Sequence, residues 1–127
     1  MALSVLIVED NCGHILKNWL DSKEYSVTLC RDGREAVEAI QNGLEYQIAL
    51  IDLSLPKEVM KPDICFYDGA DVIRISKEKN PDVPVICSSG YDYKPDGAEM
   101  LLQKPFTCEQ MIKAIEYPLT KQHSGKL

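Results

Sequence analysis

No stretch of this chain approaches the roughly 18 consecutive apolar residues that a helical membrane span needs, so no membrane crossing is expected. The start, Met1-Ala2-Leu3-Ser4, lacks the basic and then apolar stretches of a secretory signal. Positive charge is scarce: 14 Lys and Arg stand against 20 Asp and Glu, a net charge of −6. That balance argues against a nucleic-acid surface, which wants clustered Lys and Arg. Paired cysteines are missing too. The five lie at 12, 30, 65, 87 and 108, an odd number with no C-x-x-C pair. They read as reduced thiols of a cytoplasmic protein, most of them small core residues. Cys12 and His14 have no second ligand pair to complete a metal site, and read as two side chains at a helix start. Internal repeats and low-complexity segments are also absent.

What is present is the composition of an ordinary globule, 45% hydrophobic and 27% charged over 127 residues. This length predicts one domain that buries about two thirds of the surface its unfolded chain exposes.

The organising stretch is Ile48-Ala49-Leu50-Ile51-Asp52, four apolar residues running into a carboxylate, followed by Leu53-Ser54-Leu55-Pro56. A continuous apolar run bounded by a turn signal predicts a strand buried on both faces, as in a parallel sheet. Its terminal carboxylate then sits at the carboxyl edge, where open α/β folds place their ligands.

The rest alternates strand and helix. Val5 to Val8 reads as a strand ended by Glu9-Asp10, with Asn11 as N-cap of a helix facing inward through Ile15, Leu16, Trp19 and Leu20. Ser26 to Leu29 is a short strand. Asp32-Gly33-Arg34-Glu35 has the form of a capping box before Ala36, Val37 and Ile40, and Asn42-Gly43 is a helix stop. Asp68-Gly69 opens a helix with Val72, Ile73 and Ile75 inward, which Asn80-Pro81 stops. Val83 to Cys87 predicts the fourth strand, running into Ser88-Ser89-Gly90, and Met100 to Leu102 a short fifth that ends at Lys104-Pro105. Thr107 with Gln110 caps a last helix through Met111, Ile112 and Ile115, which Pro118 is expected to close. The domain is therefore expected over 1–119, with 120–127 a polar, frayed tail. Such alternation implies a parallel sheet with helices on both faces.

Four predicted strand ends carry polar chemistry: Asp10 with Glu9, Asp52, Ser89 and Lys104. In a parallel sheet these ends share one edge. Each alone is unremarkable as a helix cap, a turn or a loop, but all four at successive strand ends are a constellation. Glu9, Asp10 and Asp52 supply hard oxygens that suit Mg2+, which takes one or two carboxylates plus waters and phosphate oxygens. Without a cation the carboxylates repel one another. Asp52 is placed to attack phosphorus and form an aspartyl-phosphate. The Lys104 ammonium would offset charge on the phosphoryl oxygens, and the Ser89 hydroxyl can donate to one of them.

Val5-Leu6-Ile7-Val8-Glu9-Asp10, Leu50-Ile51-Asp52-Leu53-Ser54-Leu55-Pro56, Asp68-Gly69, Ser88-Ser89-Gly90 and Lys104-Pro105-Phe106 together resemble the receiver domain of two-component response regulators. The likeness extends to about Tyr117. It implies a flavodoxin-like, doubly wound five-stranded parallel sheet in the order 2-1-3-4-5. It also implies a phosphoacceptor at Asp52, an acidic pair at Glu9 and Asp10, and Mg2+ ligands at Asp10, Asp52 and the backbone carbonyl of Ser54. Ser89 matches the switch hydroxyl and Lys104 the family's lysine, in a Lys-Pro bond commonly cis. The phosphoryl donor would be a histidine kinase or a histidine phosphotransfer protein.

Three features depart from that pattern. Eleven residues, Lys57 to Tyr67, separate the proline after Asp52 from Asp68-Gly69. This loop either covers the cleft or is a surface insertion. Tyr91 to Glu99, with Pro95 and Gly97, is too short and too broken for a three-turn helix, so the family's fourth helix is expected to be shortened or missing. Leu101 stands three residues before Lys104, where the family often has Phe or Tyr. The last two put the family's usual output surface in question and leave open a receiver-like interaction module that works without phosphorylation. An enzyme is not expected. A phosphatase working through an aspartyl-phosphate would want an acid two residues after the nucleophile, where Ser54 stands. A flavin protein of this topology would want a Ser/Thr-rich phosphate loop in place of Asn11-Cys12-Gly13-His14. With a short tail after Pro118, no DNA-binding domain is expected to follow, and the chain reads as a stand-alone receiver or a piece of a longer protein.

Overall fold

A computed structural model describes residues 3–10, 12–54 and 67–124, with side chains of the last helix described to residue 118. The elements are β1 (Ser4–Val8), α1 (Gly13–Asp21), β2 (Ser26–Cys30), α2 (Gly33–Gln41), β3 (Ile48–Asp52), α3 (Gly69–Lys79), β4 (Val85–Ser89), β5 (Met100–Gln103) and α4 (Cys108–Ser124). All strand pairings are parallel, in the order β2-β1-β3-β4-β5. This is the expected flavodoxin-like sheet.

Alternation along the strands divides the core into two layers. On one face Leu6, Val8, Ala49, Ile51, Val85 and Cys87 pack with residues of α2 and α3. On the other, Val5, Ile7, Ile48, Leu50, Ile86 and Leu102 pack with α1 and α4. All five residues of β3 are buried, as a strand covered on both faces requires. Each such aliphatic side chain contributes about 1.5–3 kcal/mol relative to exposure.

Local signals set the helix starts. Asp32 Oδ1 accepts from the Glu35 N–H at 2.8 Å. Asp68 and Asp71 form a reciprocal capping box at α3, and Thr107 and Gln110 do the same before α4. Asn42 caps the end of α2, and Gly43 follows with φ 91°.

Some boundaries differ from expectation. The N-cap of α1 is Cys12, whose carbonyl accepts from the Ile15 and Leu16 amides. Asn11 lies outside the described residues. Leu16 and Leu20, one turn apart, bury the inner face of α1 and leave Ile15 42% exposed. β4 begins at Val85, beyond Pro84, which has no N–H for the ladder. Pro118 does not close the last helix: α4 runs through it to Ser124. Pro118 is buried and lines a hollow with Pro84, Met100 and Tyr117, and this burial offsets the one backbone bond a proline cannot donate. Residues 57–66 of the long loop after β3 and the end of the tail, 125–127, lie outside the described residues.

No helix lies between β4 and β5. The connection adds Ala98 to the α2–α3 layer, and its Pro95 is buried as well. It is held by backbone and ionic bonds instead of a helical turn. Lys94 Nζ donates to the Ala98 carbonyl at 2.8 Å, Glu99 accepts from the Val85 N–H at 2.6 Å, and Lys77 pairs with Glu99. Gly97, at φ 93°, passes so close to α3 that an added Cβ would lie 3.2 Å from Ile73 Cγ2.

Candidate functional site

β1, β3, β4 and β5 are adjacent and parallel, so their carboxyl ends meet at one edge. Asp52 closes β3, with 1% exposure, and Glu9 follows β1 at 2%. Asp10 is exposed. Carboxylate oxygens of Glu9, Asp10 and Asp52 lie within 4.8 Å of one another, a spacing one small cation can bridge. Lys104, just beyond β5, reaches into the same cluster. Its Nζ is 3.0 Å from Asp52 Oδ2 and 3.2 Å from Glu9 Oε2.

The electrostatics follow from that geometry. Partial burial opposes the charged form of Lys104. Its hydrogen bond to Asp52 and the charges of Asp52 and Glu9 outweigh this and hold its pKa above the ordinary lysine value. Lys104 therefore stays cationic and offsets two buried carboxylates. The peptide bond to Pro105 is cis.

The other Asp52 oxygen is also engaged, since Oδ1 accepts from the Ser54 N–H at 2.8 Å. Ser54 lies in an exposed turn directly after β3. Ser89 ends β4 at 3% exposure, and its Oγ accepts from the Tyr91 N–H at 3.0 Å. The structure thus brings Glu9, Asp10, Asp52 and Lys104 together, with Ser54 on the turn after β3 and Ser89 at the end of β4. Leu101 is half-buried and packs against the α2–α3 layer, leaving no aromatic ring at that position.

Two residues read from sequence as local features also belong here. Cys12 lies near the cluster. Burial, then the Glu9 charge, raise its thiol pKa, and Lys104 works the other way. Cys12 also lines a largely apolar groove of about 540 Å³ with Ile15, Trp19, Lys104 and Phe106. Gly69, which reads in sequence as a helix start, abuts the backbone of Asp52. Neither contact has a sequence signal, because both join elements whose approach is set by the layers.

A protein-family model described as "Response regulator receiver domain" matches residues 5–116. Among curated relatives, the transcriptional regulatory protein RprY of Bacteroides fragilis is 27% identical, over 98% of this chain and 52% of its own length. The transcriptional regulatory protein YkoG of Bacillus subtilis is 30% identical, over 91% of this chain and 50% of its own. The chain spans about half the length of these relatives. Among solved structures, a CheY-like receiver domain protein of Methanospirillum hungatei superposes with a TM-score of 0.83 at 21% identity, covering 98% of this chain and 99% of that one. The receiver domain of the sensor histidine kinase PA1611 from Pseudomonas aeruginosa, solved with a magnesium ion in its active-site cleft, gives a TM-score of 0.75 at 25% identity, covering 91% of this chain and 96% of that one. Sheet order, the carboxylate cluster beside a lysine, and a family match over nearly the whole chain agree: the protein belongs to the response regulator receiver domain family.

Proposed function

We propose that this protein accepts a phosphoryl group on Asp52 as a step in two-component signalling. The donor would be a phosphohistidine of a histidine kinase or of a phosphotransfer protein. The observation that carries the reading is the Lys104 ammonium 3.0 Å from Asp52 Oδ2, with three carboxylates drawn within 4.8 Å. A nucleophilic carboxylate held beside a fixed cation, with hard oxygens grouped to take a second cation, is what in-line phosphoryl transfer uses.

An Asp52 oxygen attacks phosphorus as the bond from phosphorus to the donor nitrogen breaks. The electron pair of that bond leaves with the imidazole. Lys104 already faces the acceptor carboxylate, so it lies within reach of the oxygens that gain charge. Its raised pKa keeps it cationic during transfer. The Ser54 N–H orients Asp52 by holding Oδ1. Ser89 carries a hydroxyl whose proton can be donated to a phosphoryl oxygen.

The three carboxylates fit Mg2+, a hard cation that takes oxygen ligands. Asp10, Asp52 and the Ser54 carbonyl would hold it, with Glu9 beside them, and when bound it supplies positive charge to the transferring group. A cytoplasmic location fits the free thiols of Cys12, Cys30, Cys87 and Cys108. As for membranes, no helix among the described residues is long and apolar enough to cross one.

The test is incubation with Mg2+ and acetyl phosphate or phosphoramidate, followed by intact mass. One added phosphoryl group on wild type and none on Asp52→Asn is the expected outcome. No gain on wild type, or an equal gain on the variant, refutes the assignment. An interaction module independent of phosphorylation would then account for the fold.

A further inference from the structure

We propose that Gly69 is a positioning residue for phosphoryl transfer, setting where Asp52 sits by admitting the Asp52 carbonyl to the first turn of α3. The proposal rests on Asp52 being the phosphoacceptor. Its ground is a backbone contact between two elements. A Cβ built on Gly69 would lie 2.4 Å from the Asp52 carbonyl oxygen and 2.7 Å from Leu53 Cα. Both neighbours are backbone, so no side chain can rotate away to make room.

Neither partner in that contact is free to retreat. The Asp68–Asp71 capping box fixes the turn that carries Gly69. On the other side, the Leu53 N–H donates to the Ser88 carbonyl at 2.9 Å, tying the end of β3 to β4. The segment bearing Asp52 is therefore held between β4 and α3. Moving it shifts the carboxylate relative to Lys104, which follows β5. A similar close approach occurs in the same layer. Gly33, the first residue of α2, packs against the Tyr67 carbonyl, which an added Cβ would meet at 2.0 Å. Because Tyr67 leads directly into Asp68-Gly69, that glycine bears on the same turn; Gly43, past the far end of α2, has a φ of 91° that strains any side chain while nothing packs on it, so it serves as the control for strain alone.

The experiment compares Gly69→Ala and Gly43→Ala in Mg2+ and acetyl phosphate, following intact mass and normalising to the folded fraction from circular dichroism. Displacements of about 1 Å cost rates of order a hundredfold, so Gly69→Ala is expected to fall at least about tenfold in maximal rate. The Mg2+ concentration for half-maximal rate should also rise, since Asp52 is one of the proposed ligands. Gly43→Ala is expected to lose stability, because its backbone is left-handed, while keeping both parameters near wild type. Equal losses in the two variants, or a wild-type rate in Gly69→Ala, overturn the proposal. If Gly69→Ala does not fold, Asp71→Ala replaces it, because opening the capping box loosens the same turn without adding an atom. A lowered rate there, with none in Asp32→Ala at the N-cap of α2, supports the proposal, and equal rates refute it. A wild type that gains no phosphoryl group instead refutes the functional reading. Calorimetric Mg2+ affinity of wild type against Gly69→Ala then decides the positioning role on its own, weakened affinity supporting it and unchanged affinity overturning it.

Discussion

Lys104 Nζ lies 3.0 Å from Asp52 Oδ2, joining residues 52 positions apart in the chain. That contact links the ends of two strands that are not neighbours in the sheet, since β4 runs between β3 and β5. It decides which side chains work together, and the predictions below begin from it.

Lys104→Met keeps the length of the side chain and removes its charge. Loss of one preorganised cation at the reacting group is expected to lower the rate of phosphorylation by about a hundredfold. Intact mass against time, in Mg2+ and acetyl phosphate, measures it. A wild-type rate would remove the lysine from the mechanism.

Mg2+ should stabilise the folded protein, because the carboxylate cluster exists only when the ends of β1 and β3 are assembled. At ten times its dissociation constant, a ligand that binds the native state alone adds about 1.4 kcal/mol, a few degrees in Tm for a domain of this size. Asp10→Asn is expected to abolish most of that rise. Thermal melts with Mg2+ and with EDTA read it directly.

Removing helix caps should cost stability without touching the cluster. Thr107→Ala leaves the Gln110 N–H without its side-chain acceptor and is expected to lower stability by about 1 kcal/mol. Thr107→Ser should restore most of it. Urea titration gives the difference, and an unchanged midpoint in the alanine variant would show that the cap contributes nothing.

Alkaline pH should weaken the fold through Cys30. Burial first, and then Glu35 and Asp32, raise its thiol pKa from 9.0 to about 11. In that window the unfolded chain loses the proton and the folded chain keeps it. This contribution is complete below pH 9 and is lost as pH rises toward 11. Cys30→Ala should flatten that part of the stability profile. At neutral pH, iodoacetamide is expected to modify half-buried Cys12 and Cys108 before Cys30 and Cys87.

Much of the architecture is written locally. The apolar run Ile48 to Ile51 specifies a strand buried on both faces, and β3 is one. Asp68-Gly69, and Thr107 with Gln110, mark helix starts, and α3 and α4 begin there. The absent helix before β5 was legible as well, because Pro95, Gly97 and the short distance to Lys104 leave it no room. Pro118 went the other way. Read locally it ends a helix, yet in the fold its buried ring lies within one. A tertiary contact outweighed the local rule.

The sequence by itself determined the alternation of strands and helices, the two-faced burial of β3, and which polar residues stand at strand ends. These follow from periodicity, capping and chain length, all local quantities. Only the tertiary structure decided that Lys104 pairs with both Asp52 and Glu9, and that Gly69 bears on the Asp52 backbone. These depend on strand order and on the approach of packed layers, where a few tenths of an ångström matter and no pattern along the chain records them.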